Sequence, residues 1–172
     1  GEVLFGLESR GASREEMSRV LDSAVQVCGV GPLLDRNIFA LSGGEKQRIA
    51  CASAWAMGPE VFVLDEPSSN LDGEGIRQLR DILRRLKAAG KTVLVAEHRL
   101  WYAADLADRV FYLREGQLKQ IYAGAEFLAL PEGKRRSMGL RSLKEVPLPE
   151  PHPSSEASGL TVRGLRASYG GR

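Results

Sequence analysis

The sequence predicts an α/β fold in which a mainly parallel sheet is flanked by helices, with a helical part before it. Short apolar runs rich in β-branched residues alternate with longer segments whose apolar residues recur at helical spacing. The 172 residues are 43% hydrophobic and 27% charged, which is typical of a globular protein. The net charge of +2 indicates no nucleic-acid partner at the level of the whole chain.

Three segments have the periodicity of amphipathic helices. The first is capped by Ser13 and ends at Gly29, where a left-handed residue is needed. The second follows a turn at residues 41–44 and stops at residues 58–59, a Gly-Pro pair. The third runs over residues 73–89 and precedes a glycine that ends it.

Four short segments have the character of strands. Residues 61–64 and 92–96 are continuous apolar runs, which predicts strands buried on both faces. Residues 110–113 and 117–122 predict two further strands joined by a Glu-Gly turn. Between the two pairs, leucine and alanine spacing over residues 100–107 suggests a short helix.

The character of the chain changes after Leu130. Residues 147–159 are rich in proline, serine and glutamate and predict an extended linker rather than a packed element. The apolar pattern that resumes at Leu160 indicates either a tail or the first strand of a further domain. Cys28 and Cys51 lie in apolar helical patterns and are expected to be reduced core thiols.

Two adjacent carboxylates, Asp65 and Glu66, end the first predicted strand. Ligands of open α/β sheets bind at the carboxyl ends of strands. One acid there can hold Mg²⁺ through water, and the other can orient an attacking water. A capping or turn role explains the pair equally well when it is taken alone.

The turn at residues 42–45 has the composition of an anion site. Ser42, Gly43 and Gly44 precede a helix whose first N–H groups and dipole favour phosphate, and Glu45 follows them. A plain helix cap with a tight turn is the competing interpretation.

A histidine and an Asn-Leu-Asp turn complete the set. His98 follows a predicted strand, and a lone histidine is more often structural than catalytic. Residues 69–72, taken alone, would be the cap of the third helix. The order of all these features along the chain carries more information than any one of them.

That order resembles the C-terminal half of an ATP-binding-cassette (ABC) ATPase domain over residues 2–122. Residues 41–45 look like its signature loop and residues 61–66 like its Walker B strand. Residues 69–72 look like its D-loop, and His98 like its switch histidine. The segments 96–100 and 107–110 are similar to the cobalt and vitamin importers of the energy-coupling-factor branch.

The resemblance implies a role for each motif. ATP is sandwiched between two ABC domains, with Mg²⁺ held in part by Asp65 and water oriented by Glu66 as general base. His98 contacts the γ-phosphate. The residues that the resemblance assigns to nucleotide binding are Ser42, Gly43, Gly44, Glu45, Asp72 and Tyr169.

The resemblance also divides the chain into four parts. Residues 1–57 form a helical signature subdomain and residues 58–130 the Walker B to switch-histidine part of the core. Residues 131–159 are a linker, and residues 160–172 are the first strand of a second, truncated ABC domain. The sequence contains no Gly-x-x-x-x-Gly-Lys-Ser/Thr phosphate loop, so these 172 residues alone are expected to be inactive.

The implied protein is a peripheral ATPase on the cytoplasmic face of the cell membrane. Its partners are a second ABC domain, in the same chain or a dimer, and a transmembrane permease or coupling subunit. It drives import of a metal ion or vitamin-like solute. Two alternatives stay open: a soluble tandem ABC ATPase of the translation or repair type, and a non-catalytic interaction fragment. The residues Ser69-Asn70 and 97–99 favour transport over the translation type.

Overall fold

The computed structural model describes residues 1–144 and 163–164. It begins with a helical part made of three helices, α1 (Phe5–Ser9), α2 (Arg14–Cys28) and α3 (Gly43–Ala56). The predicted cap of α2 is present, because Ser13 Oγ accepts a hydrogen bond from Glu16 N at 3.1 Å. Gly29 ends this helix in the left-handed conformation, as predicted.

The next three elements form a β-α-β unit. Strand β1 (Val61–Asp65) is followed by helix α4 (Gly73–Ala88) and strand β2 (Thr92–Ala96). The two strands pair in parallel, with Asp65 opposite Ala96. This register brings the carboxyl ends of both strands to the same edge.

An antiparallel hairpin and two short helices follow. The hairpin consists of β3 (Arg109–Arg114) and β4 (Gln117–Ala123), and its turn residues Glu115 and Gly116 both have positive φ. Helix α5 (Gly124–Ala129) packs against the turn at Ala104–Leu106. Helix α6 (Glu132–Ser137) comes last.

Two clusters of buried side chains hold these elements together. The larger joins the helical part to one side of α4 and includes Phe62, Ile82 and Leu86. The smaller gathers Ile76, Leu79, Leu83 and Tyr102. Arg85 of α4 also donates hydrogen bonds to the carbonyl oxygens of Gln26 and Val27 at 3.1 Å, so α4 ties the end of α2 to the sheet.

The prediction that β1 and β2 are buried on both faces is wrong for the part of the chain that the structure describes. Phe62 is 6% exposed, whereas Val61 is 54%, Val63 70% and Leu94 51% exposed. Within the described residues the parallel sheet has two strands, and helix α4 covers one face of it. The opposite face has no covering element there.

Two further expectations differ in detail. The segment predicted as one short helix forms two 3-10 turns, Leu100–Tyr102 and Ala104–Leu106. The start of the predicted linker is helical in α6, and Tyr112 Oη donates a hydrogen bond to Met138 O at 2.7 Å. The proline-rich residues 147–159 lie outside the described part of the chain.

Candidate active site at the carboxyl edge of the parallel strands

Glu66 and His98 meet where β1 and β2 end. Glu66 directly follows β1, and His98 lies two residues beyond the end of β2. Glu66 Oε1 is 3.1 Å from His98 Nε2. Their side chains are 52% and 72% exposed, so both polar groups face solvent at the strand edge. The sequence predicted these two residues as partners in one site, and the structure brings them into contact.

The backbone at Glu66 turns sharply. Its φ is 42°, a left-handed value that is uncommon for a residue other than glycine. Glu66 N donates to Ala96 O at 2.9 Å, which continues the parallel pairing one residue past the strand. Ser69 N then donates to Glu66 O at 3.0 Å. The turn therefore aims the Glu66 carboxylate away from the sheet and towards the end of β2.

Asp65 is the last residue of β1 and is exposed. Within residues 1–144 and 163–164, no hydrogen bond or ion pair engages its carboxylate, and no group of three or more His, Cys, Asp or Glu residues could hold a metal ion. Mg²⁺ in phosphoryl-transfer sites takes one or two carboxylates and obtains its other ligands from water and phosphate. The single carboxylate of Asp65 at this edge fits such a Mg²⁺ site. It does not fit a site in which protein side chains supply all the metal ligands.

Ser42 caps helix α3 through a complete capping box. Ser42 Oγ accepts from Glu45 N at 3.3 Å, and Ser42 N donates to Glu45 Oε2 at 2.8 Å. Arg36 also pairs with Glu45. The hydrogen bond from Ser42 N is the main reason why the pKa of Glu45 is lowered from its ordinary value. The Glu45 side chain therefore fixes the conformation of the turn through hydrogen bonds. Ser42 and Gly43 are exposed to solvent at the start of the helix.

The turn at residues 42–44 lies against the segment that follows Glu66. A Cβ added to Gly43 would lie 3.3 Å from Asn70 O, and one added to Gly44 would lie 3.6 Å from the Leu71 side chain. The two glycines thus permit close packing of the two turns. Asp72, the last residue of that segment, caps α4 by accepting from Gly75 N at 2.7 Å.

Glu97 has a larger role in this site than the sequence indicated. Its carboxylate accepts hydrogen bonds from two backbone N–H groups that follow it, from Ser68 N, and from Tyr102 Oη. Burial works to raise the pKa of Glu97, but these hydrogen bonds outweigh it and the pKa is lowered. An acidic residue placed between a strand and the candidate histidine is the signal that could have revealed it.

Comparison of the sequence with known proteins points to one protein family. The sequence profile of the ABC transporter family matches residues 4–69. A protein of Treponema denticola named as an ABC transporter ATP-binding protein is 44% identical over 140 residues, which are 81% of this chain and 29% of that protein. A protein of Archaeoglobus fulgidus with the same description is 36% identical over 175 residues. That alignment covers 98% of this chain and 58% of the Archaeoglobus protein.

A solved structure agrees with the sequence comparisons. It is cbiO1 from Clostridium perfringens, described as part of the ABC transporter complex cbiONQ. It superposes with a TM-score of 0.69 at 30% identity, over 78% of this chain and 54% of that one. The chain belongs to the ABC transporter ATP-binding family. The predicted family and the predicted α/β fold class are both confirmed.

Members of this ABC family are ATPases. The chain spans less than two thirds of the length of each of the three relatives described above. None of the helices in the described residues is both long and apolar enough to cross a membrane.

The structure groups the predicted ABC site residues into two neighbouring places. Glu66 and His98 are in contact, and Asp65 adjoins Glu66 in sequence. Ser42, Gly43 and Gly44 lie against the segment that ends at Asp72. Residues 66–72 connect the two places. Tyr169 lies outside the described residues, so its expected role stays a prediction.

Proposed function

We propose that the chain is part of an ABC ATPase subunit that binds and hydrolyses ATP with Mg²⁺ and so drives import of a metal ion or vitamin-like solute. The observation that carries the proposal is the 3.1 Å contact of Glu66 with His98 at the exposed carboxyl edge of two parallel strands. This is the edge at which open α/β sheets bind their ligands. Both side chains are free to face a ligand there.

Glu66 is the general base in this proposal. Its carboxylate accepts a proton from water and orients that water towards the γ-phosphate. His98 donates a hydrogen bond to a γ-phosphate oxygen. Because His98 contacts Glu66, the base and the histidine that binds the phosphate lie at the same edge of the parallel strands. Asp65 would hold Mg²⁺, which would neutralise charge on the phosphate oxygens. Phosphoryl transfer depends mainly on such positioning and charge stabilisation.

The turn at residues 42–44 serves a second nucleotide in this proposal, the one held by a partner ABC domain. It presents the exposed start of helix α3, where backbone N–H groups and the helix dipole favour phosphate. Asp72 lies at the interface between the two domains. Tyr169, at the start of a second domain, would stack on adenine.

Exposed apolar faces support the idea that more of the same domain covers this chain. One is the open face of the parallel strands with Val63, which is 70% exposed. Another is on the hairpin, where Phe111 pairs with Ile121 and Leu113 with Leu118, all 40% exposed or more. Contiguous apolar faces of this kind mark interaction surfaces. We infer that the phosphate-loop half of the domain packs on them, and that these 172 residues alone do not turn over ATP.

The proposed transport role rests on the structural relative. That relative, cbiO1, is described as part of the ABC transporter complex cbiONQ. We infer a peripheral position on the cytoplasmic face of the membrane, with a transmembrane permease or coupling subunit as partner. The proposed cargo predicts that cells producing an inactive variant accumulate less of one metal or vitamin, measured by elemental analysis or labelled uptake. Unchanged uptake of every candidate solute would contradict the import role.

The hydrolytic assignment is tested by Glu66→Gln in the full-length protein. Glutamine keeps the size of the side chain but cannot accept the proton, so the rate of hydrolysis falls by about 100-fold or more. ATP binding, measured separately with labelled nucleotide, is retained. The matched control is Asp108→Asn, which removes an exposed carboxylate paired with Lys87 at 2.7 Å. Normal hydrolysis by Glu66→Gln would contradict the assignment of the base.

A further inference from the structure

The carboxylate of Glu97 joins two segments that are distant in sequence. One oxygen accepts from His98 N at 2.8 Å and Arg99 N at 2.9 Å. The other accepts from Ser68 N at 3.3 Å and from Tyr102 Oη at 2.9 Å. A single side chain therefore fixes the turn that carries His98 and the turn that follows Glu66.

Arg99 makes a second link between the same segments. Its guanidinium donates to Ser68 O and to Leu71 O, each at 3.3 Å. The turn after Glu66 is thus held from its N–H side by Glu97 and from its carbonyl side by Arg99. We call Glu97 and Arg99, with the groups they bind in residues 68–71, the turn clamp.

The turn clamp is next to Glu66, whose backbone has a strained positive φ. A non-glycine residue at positive φ, as at Glu66, is strained and persists where the surrounding contacts hold it in place. Ser68, two residues on, is fully buried, and its backbone is bound on both sides by the clamp. Both ends of the Glu66–His98 contact are therefore attached to Glu97 through one or two residues of backbone.

We propose that Glu97 is a positioning residue, which with Arg99 holds the Glu66 turn and the His98 turn in one fixed relation so that both side chains reach the same phosphate. This inference rests on the proposed ATPase function and adds two residues that act through others. Segment 68–72 also packs against the turn at Gly43. The turn clamp therefore connects the hydrolytic contact with the surface proposed to meet a second nucleotide.

The test is Glu97→Gln in the full-length protein. Glutamine keeps one acceptor oxygen but replaces the other with an NH₂ group, which cannot accept from either of the donors that faced it. Small misplacements of reacting groups cost about 10- to 100-fold in rate, so kcat should fall by that factor. The Kd for ATP should change by less than about threefold, because a positioning residue acts through Glu66 and His98 and makes no contact with the nucleotide in this proposal.

The control is Asp105→Asn, which removes one of the two oxygens that accept hydrogen bonds from Arg80 at 2.6 and 2.7 Å, just as Glu97→Gln removes one oxygen of Glu97. Arg80 also donates to Tyr102 O, but Asp105 itself makes no hydrogen bond to Glu97, Arg99, Tyr102 or residues 68–71, so the change leaves every hydrogen bond of the turn clamp in place. A comparable loss of Tm with normal kcat is expected. Hydrogen exchange adds a direct readout: the amides of Ser68, His98 and Arg99 should exchange faster in Glu97→Gln and not in Asp105→Asn.

The outcomes separate this inference from the proposed function. A normal kcat for Glu97→Gln in a protein whose Glu66→Gln variant is inactive would overturn the positioning role and leave the ATPase intact. So would an equal loss of kcat in Asp105→Asn, because the effect would then follow stability alone. A wild-type protein without ATPase activity would overturn the proposed function and this inference together.

Discussion

The contact of Glu66 with His98 is too exposed to hold itself in place. Ion pairs between solvent-exposed side chains contribute about 0–1 kcal/mol, and these side chains are 52% and 72% exposed. Their mutual position must therefore come from the backbone that carries them. The parallel register of Asp65 with Ala96 supplies part of it, and the hydrogen bonds of Glu97 supply the rest.

The two cysteines, unlike Glu66 and His98, are buried, and burial lowers the reactivity of their thiols. Burial raises the pKa of Cys28 to about 12 and that of Cys51 to about 11. Because the thiolate is the nucleophile, we expect alkylation of both cysteines by iodoacetamide at pH 8 to be slower than that of a free thiol by about 100-fold or more, and fast after unfolding. Rapid labelling of the native protein, read by mass spectrometry, would contradict the buried thiols.

At the scale of elements, helix α4 depends on Asp72 for its cap. Asp72→Ala should lower the free energy of unfolding by about 1 kcal/mol, because Gly75 N loses its acceptor. Asp72→Asn should retain stability, since asparagine caps equally well. Denaturant melts of both variants measure this. If Asp72→Asn also keeps full ATPase activity in the full-length protein, the negative charge of Asp72 is not needed at the proposed interface, and the cap accounts for this residue.

The sequence predicted the helices better than the strands. Ser13, Ser42 and Asp72 act locally through their own helix starts, so spacing and cap chemistry were sufficient to find them. The burial of Val63 depends on what covers the second face of the sheet, which local pattern does not specify. The Glu66–His98 contact followed from strand order and resemblance. The clamp at Glu97 depends on side-chain conformations across two segments, which spacing does not encode.

For the whole molecule, acid is expected to be destabilising. Hydrogen bonds and ion pairs lower the pKa of Glu45, Glu74 and Asp105, and the net effect on Glu97 is also to lower it. A lowered pKa in the folded state stabilises above the unfolded value and is lost as pH falls through the folded one. The Tm of the full-length protein should therefore decrease as the pH is lowered below about 4.5. The decrease should be smaller in Asp105→Asn, which lacks one of these carboxylates. A Tm that rises on acidification would contradict these contacts.

The most direct test of the account is a structure of the full-length Glu66→Gln protein with ATP and Mg²⁺. The γ-phosphate should lie within about 3 Å of a ring nitrogen of His98, with the side chain at position 66 facing the attacking water. The turn of an opposed ABC domain that corresponds to residues 42–44 should contact the same nucleotide. A nucleotide bound with its γ-phosphate remote from both His98 and position 66 would contradict the account.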